Sequence, residues 1–432
     1  MNELQNKSVS LIGFGISNKA TLSYLLSKGI YPTIRTENNE KVKDGIRTIC
    51  GGDYLLAKED IIFRSPVIRP DRITTSGIIT TEIDFSLKRA RGIKIGITGS
   101  DGKTTTSTII YSILTSDKKK ALLCGNVGSP LIASLDKTDD NSYIVAELSS
   151  FQLIDMEPVL NVAVITNITE NHLDWHKDLE EYISAKLNIT KRSDKIVLDY
   201  DNDILRKSIS SVPRSSRLAL VSLDKKIKIE RENTDYVYID NGSIYYNDKK
   251  ILSLDKIALR GKHNIKNYEL AIASVYGYVS RDSIEETATC FKGVKNRCEL
   301  ILEKNGVKFY SSSIDTTPSR TIATLDSFDI SKAIIILGGY DKNLDYNPLS
   351  KSLDGAYACV LCGENKDKIY NAIRSTKTKI FIENSFFSAV KRAYSLAREG
   401  DSVLLSPASA SFDMFKSYKE RARAFEKIIK EL

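Results

Sequence analysis

The sequence predicts an α/β protein built of three domains. Short runs rich in valine, isoleucine and leucine alternate with helical patterns along nearly the whole chain, as in parallel sheets covered by helices. The 432 residues are too many for one hydrophobic core. We therefore expect a Rossmann-like N-terminal domain over 1–92, a central α/β domain with a mainly parallel sheet over 93–297, and a C-terminal Rossmann-like α/β domain over 298–432.

Six apolar runs give the clearest strand predictions. They occupy residues 9–12, 61–63, 143–146, 162–165, 333–337 and 402–405. A more polar stretch near residues 225–255 contains Asn241 and Gly242, a pair that favours the left-handed backbone of a two-residue hairpin turn. The sequence therefore predicts a hairpin within the central domain.

Composition narrows the class of protein. The net charge is +8, with 41% hydrophobic and 27% charged residues, as in a soluble globular chain. The lysines are scattered rather than gathered in one arm, which favours anionic small substrates over nucleic acid. No apolar run reaches the length of a membrane span, and the first residues lead directly into a strand pattern rather than a signal peptide. We therefore expect a cytoplasmic protein that is not inserted in a membrane, and we expect a monomer.

Cysteine spacing offers one candidate metal or redox pair. Of the six cysteines, only Cys359 and Cys362 have that spacing, and they lie in an apolar run that predicts a buried strand. No second pair completes a zinc site. The pattern therefore favours a role in the hydrophobic core.

The segment GITGSDGKTTT (residues 96–106) is the strongest chemical signal. It follows a predicted strand and precedes a predicted helix, which is the context of a phosphate-binding loop. Glycines let backbone N–H groups approach phosphate oxygens, Lys103 adds a positive charge, and Thr104 offers a hydroxyl to Mg²⁺. The match to the Walker A pattern is imperfect, because five residues rather than four separate Gly96 from Gly102. The motif therefore predicts that the central domain is of the P-loop ATPase type, and the alternative is an ordinary turn capped by a lysine.

Downstream residues add candidate ligands for a cation. Glu147 follows a predicted buried strand, where an acid is costly unless it is paired or binds a metal; the alternative is an acid that caps a helix. Two of the three histidines of the chain, His172 and His176, lie in one polar loop. That cluster indicates a site more strongly than a lone histidine would. By composition alone, Lys186 is an ordinary helix lysine.

Two further segments suggest nucleotide contacts. Asn264 and Asn267 are three residues apart, so they share one face of a predicted helix and are placed to contact a base or ribose. Near the N-terminus, Gly13 and Gly15 follow a strand as in a dinucleotide-binding turn, but the third glycine is missing. The latter pattern supports a Rossmann-like fold more than it supports NAD.

Together these motifs resemble the Mur ligase family, through all three domains and in order. The segments that carry the resemblance are GSDGKTTT (99–106), ELSSFQ (147–152), NHLD (171–174), YISAK (182–186) and GKHNIKN (261–267). The resemblance implies an ATP- and Mg²⁺-dependent amide ligase of cytoplasmic peptidoglycan precursor synthesis that acts through an acyl phosphate. The segments GGYDK (338–342) and LSPASASFD (405–413) resemble those of members that add D-glutamate to UDP-N-acetylmuramoyl-L-alanine.

The resemblance also implies roles for individual residues. Those implied to hold ATP are Gly99, Ser100, Asp101, Gly102, Lys103, Thr104, Thr105, Asn126, Asn264, Asn267 and Arg297. Those implied to hold two Mg²⁺ ions are Thr104, Glu147, His172 and Lys186, with Lys186 carbamylated by CO₂. The implied catalytic residues are Lys103, Glu147, His172 and Lys186. Those implied to contact the UDP-linked substrate are Ile16, Ser17, Arg35 and Thr36, and those implied to contact D-glutamate are Thr316, Lys342, Ser411 and Tyr418.

Several positions depart from the family pattern, among them Val67, Asn296, Ser312 and Ile314. They leave open a non-catalytic paralogue that binds a nucleotide or a UDP-sugar. A Mur-type ligase for a different amino acid is a second alternative, and an NAD-dependent enzyme is a remote third. The retained Lys103, Glu147, His172 and Lys186 favour the ligase, because a binding protein does not need a two-metal site for phosphoryl transfer.

Overall fold

A computed structural model describes residues 4–37, 45–173, 175–224, 227, 229, 231–259, 261–295, 297–326 and 328–432. The chain forms two compact units. One comprises Met1–Ile257 with His263–Cys290, and the other comprises Ala258–Lys262 with Phe291–Leu432. The first unit contains two sheets and the second contains one, so the predicted boundaries of three domains stay predictions.

The first sheet is parallel throughout its described strands. Its elements are β1 (Val9–Ile12), α1 (Ile16–Ser27), β2 (Thr33–Thr36), β3 (Thr48–Cys50), β4 (Ile61–Arg64), a 3₁₀ turn (Pro70–Arg72), β5 (Ile78–Thr80) and α2 (Glu82–Arg89). The strand order is β3-β2-β1-β4-β5. Leu11, Ile34 and Phe63 are fully buried between this sheet and its helices, because apolar side chains on both faces of a parallel sheet are covered.

The second sheet forms the centre of the same unit. Its strands are β6 (Ile93–Thr98), β7 (Lys120–Gly125), β8 (Ser142–Glu147), β9 (Val159–Ile165), β10 (Arg192–Asp199), β11 (Arg217–Ser222), β12 (Thr234–Asp240), β13 (Ser243–Tyr246) and β14 (Lys249–Ser253). Its order is β14-β13-β12-β11-β10-β9-β6-β8-β7. Among the described pairings of this second sheet, only β12–β13 and β13–β14 are antiparallel. The predicted hairpin is confirmed, since Asn241 and Gly242 join β12 to β13 with φ of 44° and 68°.

Helices cover both faces of this sheet. They are α3 (Lys103–Ser116), α4 (Ser150–Leu153), α5 (Leu179–Leu187), α6 (Asp203–Ser208), α7 (Lys262–Val275) and α8 (Arg281–Cys290), with 3₁₀ turns at Leu131–Lys137, Asn188–Thr190, Ile209–Ser211 and Leu254–Lys256. Strands β7, β8, β6 and β9 are parallel neighbours, so their carboxyl ends meet at one edge. The segments that follow these strands are therefore brought together, as expected for a ligand site in an open α/β sheet.

The second unit contains the third sheet. Its elements are β15 (Glu299–Lys304), β16 (Val307–Ser311), α9 (Pro318–Leu325), a 3₁₀ turn (Ile330–Lys332), β17 (Ala333–Leu337), α10 (Leu349–Leu353), β18 (Ala358–Leu361), α11 (Lys366–Ile373), β19 (Lys379–Ile382), α12 (Phe386–Leu396), β20 (Ser402–Leu405) and α13 (Tyr418–Glu431). The order is β15-β16-β20-β17-β18-β19, with β15 antiparallel to its neighbour. Cys359 and Cys362 are buried in its core.

The predicted fold class, an α/β protein with mainly parallel sheets, is confirmed. All six predicted strand runs lie within observed strands. Across the described part of the chain, every helix is too short or too polar to span a bilayer.

Candidate functional site

The phosphate loop connects β6 to α3 and requires glycine at two positions. Gly99 and Gly102 have φ of 148° and 78°, which disfavour any residue with a side chain. A Cβ atom at Gly99 would lie 1.9 Å from Thr166 Oγ1, and one at Gly102 would lie 2.6 Å from Asn267 Oδ1. The loop is therefore packed closely against the segment that follows β9 and against α7.

Hydrogen bonds fix the loop before any ligand binds. The N–H of Ser100 donates to the carbonyl of Asn167 (2.9 Å), and the N–H of Asp101 donates to Asn167 Oδ1 (2.9 Å). The Ser100 hydroxyl bonds both to the carbonyl of Thr169 (2.9 Å) and to the Tyr182 hydroxyl (2.7 Å). Such preorganisation lowers the cost of arranging the loop around an anion.

Lys103 begins α3 at the end of this loop. Its Nζ donates to the carbonyls of Gly99 (2.7 Å) and Ser100 (2.8 Å). The N-terminus of α3 adds partial positive charge at the same place, and Thr104 and Thr105 lie in the first turn. The combination suits the phosphates of a nucleotide.

Glu147 ends β8 beside the loop and is 1% exposed. Its Oε1 accepts a hydrogen bond from Asn126 Nδ2 (2.8 Å), while no described residue donates one to Oε2. A buried carboxylate oxygen without a donor is costly unless a cation neutralises it. This oxygen therefore fits a Mg²⁺ ion beside the phosphates, with the Thr104 hydroxyl as the expected companion ligand.

Lys186 lies on α5 and is 2% exposed, unlike an ordinary helix lysine. Its Nζ donates to the carbonyl of Gly99 (2.6 Å) and lies 4.7 Å from the centre of the Tyr182 ring. Burial, and secondarily the charge of Lys103, hold the pKa of Lys186 well below its usual range. Burial likewise raises the pKa of Tyr182 to about 12. The surroundings of Lys186 therefore disfavour its protonated form.

His172 is exposed and lies on the loop between β9 and α5. Its φ of 57° is uncommon outside glycine, and its ring lies 4.9 Å from that of Phe151. Asp174, the last residue of the predicted NHLD motif, lies outside the described residues. In the described part of the chain, no three His, Cys, Asp or Glu side chains form a metal-binding group. The proposed metal set contains only two such residues, Glu147 and His172, so it stays a prediction.

Asn264 and Asn267 share one face of α7, as predicted from their spacing. Asn267 Nδ2 donates to Asn264 Oδ1 (3.3 Å), and Asn267 Oδ1 accepts from the Thr106 hydroxyl (3.1 Å). The pair therefore joins α7 to α3 behind the phosphate loop. Arg297, the third predicted nucleotide contact downstream of α7, belongs to the second compact unit.

The predicted contacts for the UDP-linked substrate follow β1 and end β2. Ile16 is 80% exposed and begins α1 with Ser17, so both are accessible to a ligand. The Arg35 guanidinium is instead held by Glu59, with Nη2 at 3.0 and 3.1 Å from the two carboxylate oxygens. Thr36 is buried, with its hydroxyl 3.8 Å from Cys50 Sγ.

The predicted D-glutamate contacts lie at one edge of the third sheet. Thr316, Lys342 and Ser411 follow β16, β17 and β20, which are parallel neighbours. The N–H of Tyr340 donates to the carbonyl of Ala410 (2.9 Å), which joins the last two loops. Ser411 is buried and Lys342 is exposed, so a ligand there would meet a buried hydroxyl and a solvent-exposed cation.

Sequence reasoning missed Arg421, which holds these loops together. Its guanidinium donates to the carbonyls of Ser313 (2.9 Å), Ser409 (2.9 Å) and Ala410 (3.2 Å). The Ser313 hydroxyl in turn donates to the carbonyl of Tyr418 (2.8 Å), the fourth predicted contact. Burial lowers the pKa of Arg421 to about 10. No local pattern marks this arginine, because its partners are distant in sequence.

Comparison with known proteins gives two family matches. The model described as "Mur ligase middle domain" matches residues 97–275, and the one described as "Mur ligase, glutamate ligase domain" matches residues 296–409. The chain is 37% identical over 456 residues to the UDP-N-acetylmuramoylalanine–D-glutamate ligase of Clostridium novyi, covering 99% of this chain and 98% of that protein. It is 38% identical over 462 residues to the protein of the same name from Acetivibrio thermocellus, covering 100% and 97%.

Solved structures show the same fold at lower identity. The UDP-N-acetylmuramate–alanine ligase of Thermotoga maritima superposes with a TM-score of 0.62 at 18% identity, covering 99% of this chain and 100% of that one. The MurF ligase of the same organism, solved in complex with ADP, gives a TM-score of 0.57 at 18% identity, covering 100% and 96%.

Proposed function

The chain belongs to the Mur ligase family, and from that premise we propose that it is an ATP-dependent ligase that joins D-glutamate to UDP-N-acetylmuramoyl-L-alanine in peptidoglycan precursor synthesis. Relatives with this named activity match over essentially the whole chain. The structural observation that supports it best is the unpartnered, buried Oε2 of Glu147 beside the phosphate loop. A phosphoryl-transfer site needs such a ligand for Mg²⁺ next to the groups that bind the phosphates.

The chemistry has two steps. The carboxylate of the L-alanine residue attacks the γ-phosphorus of ATP, forming an acyl phosphate and releasing ADP. The amine of D-glutamate then attacks the acyl carbon, loses a proton, and expels inorganic phosphate as the amide forms. Both steps bring anions together, so the barrier falls when fixed cations and N–H donors surround them.

The residues of the chain supply that environment. Lys103 and the N–H groups of the loop would hold the β- and γ-phosphates. To do so, the Lys103 side chain would exchange its hydrogen bonds to the carbonyls of Gly99 and Ser100 for contacts with the nucleotide. Glu147 and Thr104 would hold a Mg²⁺ ion, which neutralises phosphate charge when bound. Asn126 fixes the orientation of the Glu147 carboxylate through its 2.8 Å hydrogen bond.

Lys186 would be carbamylated in the active enzyme. A neutral, buried amine can attack CO₂, forming an N–C bond and losing one proton, and the product is an anion. That anion would help hold a second Mg²⁺ with His172, whereas an ammonium would repel the ion. The lowered pKa of Lys186 supports this proposal, because it increases the fraction of the side chain present as the neutral, nucleophilic amine.

Substitution of Lys186 by alanine tests the carbamate. We expect Lys186→Ala to lower turnover severely, and we expect high bicarbonate not to restore it, because no amine remains to carry the group. Mass spectrometry and ¹³C NMR after incubation with labelled bicarbonate should detect one adduct in the wild type and none in the variant. Near wild-type turnover in Lys186→Ala would refute the role.

D-glutamate would bind at the edge of the third sheet. Lys342 and Thr316 would bind its side-chain carboxylate, and Ser411 would bind the α-carboxylate with help from the backbone near Tyr418.

Among the departures from the family pattern, Ser312 is fully buried and its hydroxyl accepts a hydrogen bond from the N–H of Cys298 (3.2 Å). Val67 is 66% exposed at the end of the first sheet, and Asn296 lies outside the described residues.

Amino-acid competition tests the substrate. We expect purified protein to release phosphate from ATP only when UDP-N-acetylmuramoyl-L-alanine and D-glutamate are both present. Turnover with another amino acid and none with D-glutamate would show that the other amino acid is the substrate. ATP binding without any turnover would favour the non-catalytic paralogue.

We also propose that the protein acts as a cytoplasmic monomer. Light scattering would test the oligomeric state, and cell fractionation would test the location.

A further inference from the structure

The turn that carries His172 is held at three points by residues outside the predicted site. The carbonyl of His172 accepts the N–H groups of Trp175 (3.1 Å) and His176 (3.0 Å), so these three residues form one hydrogen-bonded turn. We call residues 172, 173, 175 and 176 the His172 turn. Both hydrogen bonds of the turn end at the carbonyl of His172. Contacts that hold Trp175 and His176 in place therefore also restrict the backbone of His172.

The first anchor is the buried side chain of His176. Its Nε2 lies 2.9 Å from the Ser150 hydroxyl, and its Nδ1 lies 3.3 Å from Glu181 Oε2. Since an ionised carboxylate can only accept, Nδ1 carries the proton and Nε2 accepts from Ser150. Ser150 begins α4 three residues after Glu147, and Glu181 lies five residues before Lys186 on α5. His176 therefore connects α4, which follows Glu147 closely in the chain, to α5, which carries Lys186.

The order serine, histidine, glutamate also matches a hydrolytic triad, but its setting does not. Ser150 is 2% exposed and His176 is 3% exposed, so the hydroxyl has no room beside it for a substrate carbonyl. The network therefore positions other groups rather than supplying a nucleophile.

The second anchor is Arg69, from the loop that follows β4 of the first sheet. Its Nη1 and Nη2 each lie 2.9 Å from one oxygen of Glu181, and Nη1 also donates to the carbonyl of Trp175 (2.8 Å). This bidentate pair is 15% and 21% exposed, so it is partly shielded from solvent. The Arg69 hydrogen bonds lower the pKa of Glu181 to about 2, which keeps the acceptor ionised.

The third anchor is Trp175, whose Nε1 donates to the carbonyl of Val67 (2.8 Å). Its ring lies 5.0 Å from the Arg69 guanidinium and 4.4 Å from Phe151, which itself packs against His172. The loop containing residues 67 and 69 thus holds the His172 turn both by hydrogen bonds and by ring contacts.

We propose that Arg69, Glu181 and His176 are positioning residues that hold His172 in place for the second Mg²⁺ ion and link the first sheet to the phosphoryl-transfer site. The inference rests on the proposed function, since the role of His172 does. Arg69 acts through its hydrogen bonds to Glu181 and to the carbonyl of Trp175. Residues that orient a metal ligand in this way typically change metal affinity or activity about 10- to 100-fold when removed.

Arg69→Met is the direct test, because it removes the charge and hydrogen bonds while keeping an apolar stem against Trp175. Lys177→Met is the matched control. Lys177 lies beside the same network, 3.9 Å from Glu181 and 3.6 Å from Asp71, but is 68% exposed. We expect Arg69→Met to raise the Mg²⁺ concentration for half-maximal turnover and lower kcat by about tenfold or more, with the KM for D-glutamate unchanged. Lys177→Met should stay within about twofold of wild type.

Fluorescence supplies a readout that does not depend on turnover. Trp175 is the only tryptophan of the chain, so its emission reports on the His172 turn alone. We expect Mg²⁺ added with ATP to change the Trp175 emission. The change should occur at the same Mg²⁺ concentration in the wild type and in Lys177→Met, and only at a higher Mg²⁺ concentration in Arg69→Met. If Arg69→Met fails to fold, Glu181→Gln, which removes the ion pair but keeps an acceptor, takes its place in the same comparison.

Two results separate the positioning proposal from the proposed function. Wild-type protein without D-glutamate-dependent phosphate release would contradict the function itself. Wild-type turnover together with an Arg69→Met variant that matches Lys177→Met in kcat and in Mg²⁺ dependence would overturn the positioning role alone. Equal increases in every KM and a lower melting temperature, without a specific change in Mg²⁺ dependence, would also overturn it, because they indicate general destabilisation.

Discussion

Replacement of Glu269 by leucine should stabilise the protein at neutral pH. Glu269 lies on α7 and is fully buried, and no described residue makes a hydrogen bond with either carboxyl oxygen. Burial raises its pKa well above 4.5, Lys266 opposes that shift, and Asp201 and Asp199 reinforce it. Leaving a buried polar group unsatisfied costs about 1–3 kcal/mol, so an apolar side chain of similar size should recover an amount in that range.

The same carboxyl group should make stability fall as pH rises. Below its unfolded pKa near 4.5, both folded and unfolded states bind the proton, so the carboxyl group adds no pH-dependent penalty. Above that pH the unfolded state releases the proton while the folded state keeps it, so the free energy of unfolding falls by at most about 1.4 kcal/mol per pH unit. Between pH 5 and 7 the upper limit is about 2.7 kcal/mol.

Denaturant unfolding followed by Trp175 emission measures both effects, because that tryptophan lies in the same compact unit as Glu269. Glu269→Gln removes the titration but keeps a polar group, and Glu232→Gln on an exposed turn is the control. We expect wild type to lose stability relative to Glu269→Gln as pH rises from 5 to 7, and the control to show no such trend. A pH-independent difference between wild type and Glu269→Gln would refute the reasoning, as would a destabilised Glu269→Leu.

Three further predictions concern the site. Glu147→Gln should lower turnover and raise the Mg²⁺ concentration for half-maximal activity, since a neutral amide is a weaker ligand; an unchanged Mg²⁺ titration would exclude Glu147 as a ligand. Lys342→Met should raise the KM for D-glutamate by about tenfold or more while leaving the KM for ATP unchanged, because it removes one charge-assisted contact worth about 1.5–3 kcal/mol; steady-state kinetics with each substrate varied decides this. Gly102→Ala should abolish ATP binding in calorimetry, because the new Cβ would lie 2.6 Å from Asn267 Oδ1 at a φ of 78°; normal affinity would show that the loop rearranges freely.

Local patterns predicted the fold because local chemistry determines it. The strand at 333–337 is a continuous apolar run, and it is fully buried as a central parallel strand must be. Asn264 and Asn267 could be placed on one face from their spacing, and their side chains are hydrogen-bonded in α7. The glycines of the phosphate loop were likewise interpretable from sequence, because backbone N–H groups must approach phosphate oxygens there, and the structure adds that Gly99 and Gly102 have positive φ.

Long-range contacts could not be predicted in the same way. Lys186 looks like a surface helix lysine, and its burial depends on a contact with Gly99, 87 residues away. Arg69 and Glu181 are 112 residues apart, and neither belongs to a recognisable motif. Arg421 reaches Ser313 across 108 residues. Such partners are brought together only by the order of strands in the sheets, which residue spacing does not determine.

Phosphate release from ATP tests the central claim most directly. The assay contains purified protein, Mg²⁺ and ATP, with UDP-N-acetylmuramoyl-L-alanine and D-glutamate each added or omitted, and Lys103→Met as the inactive control. The account predicts release that requires both substrates and is lost in the control. ATP binding with no release when both substrates are present would contradict it.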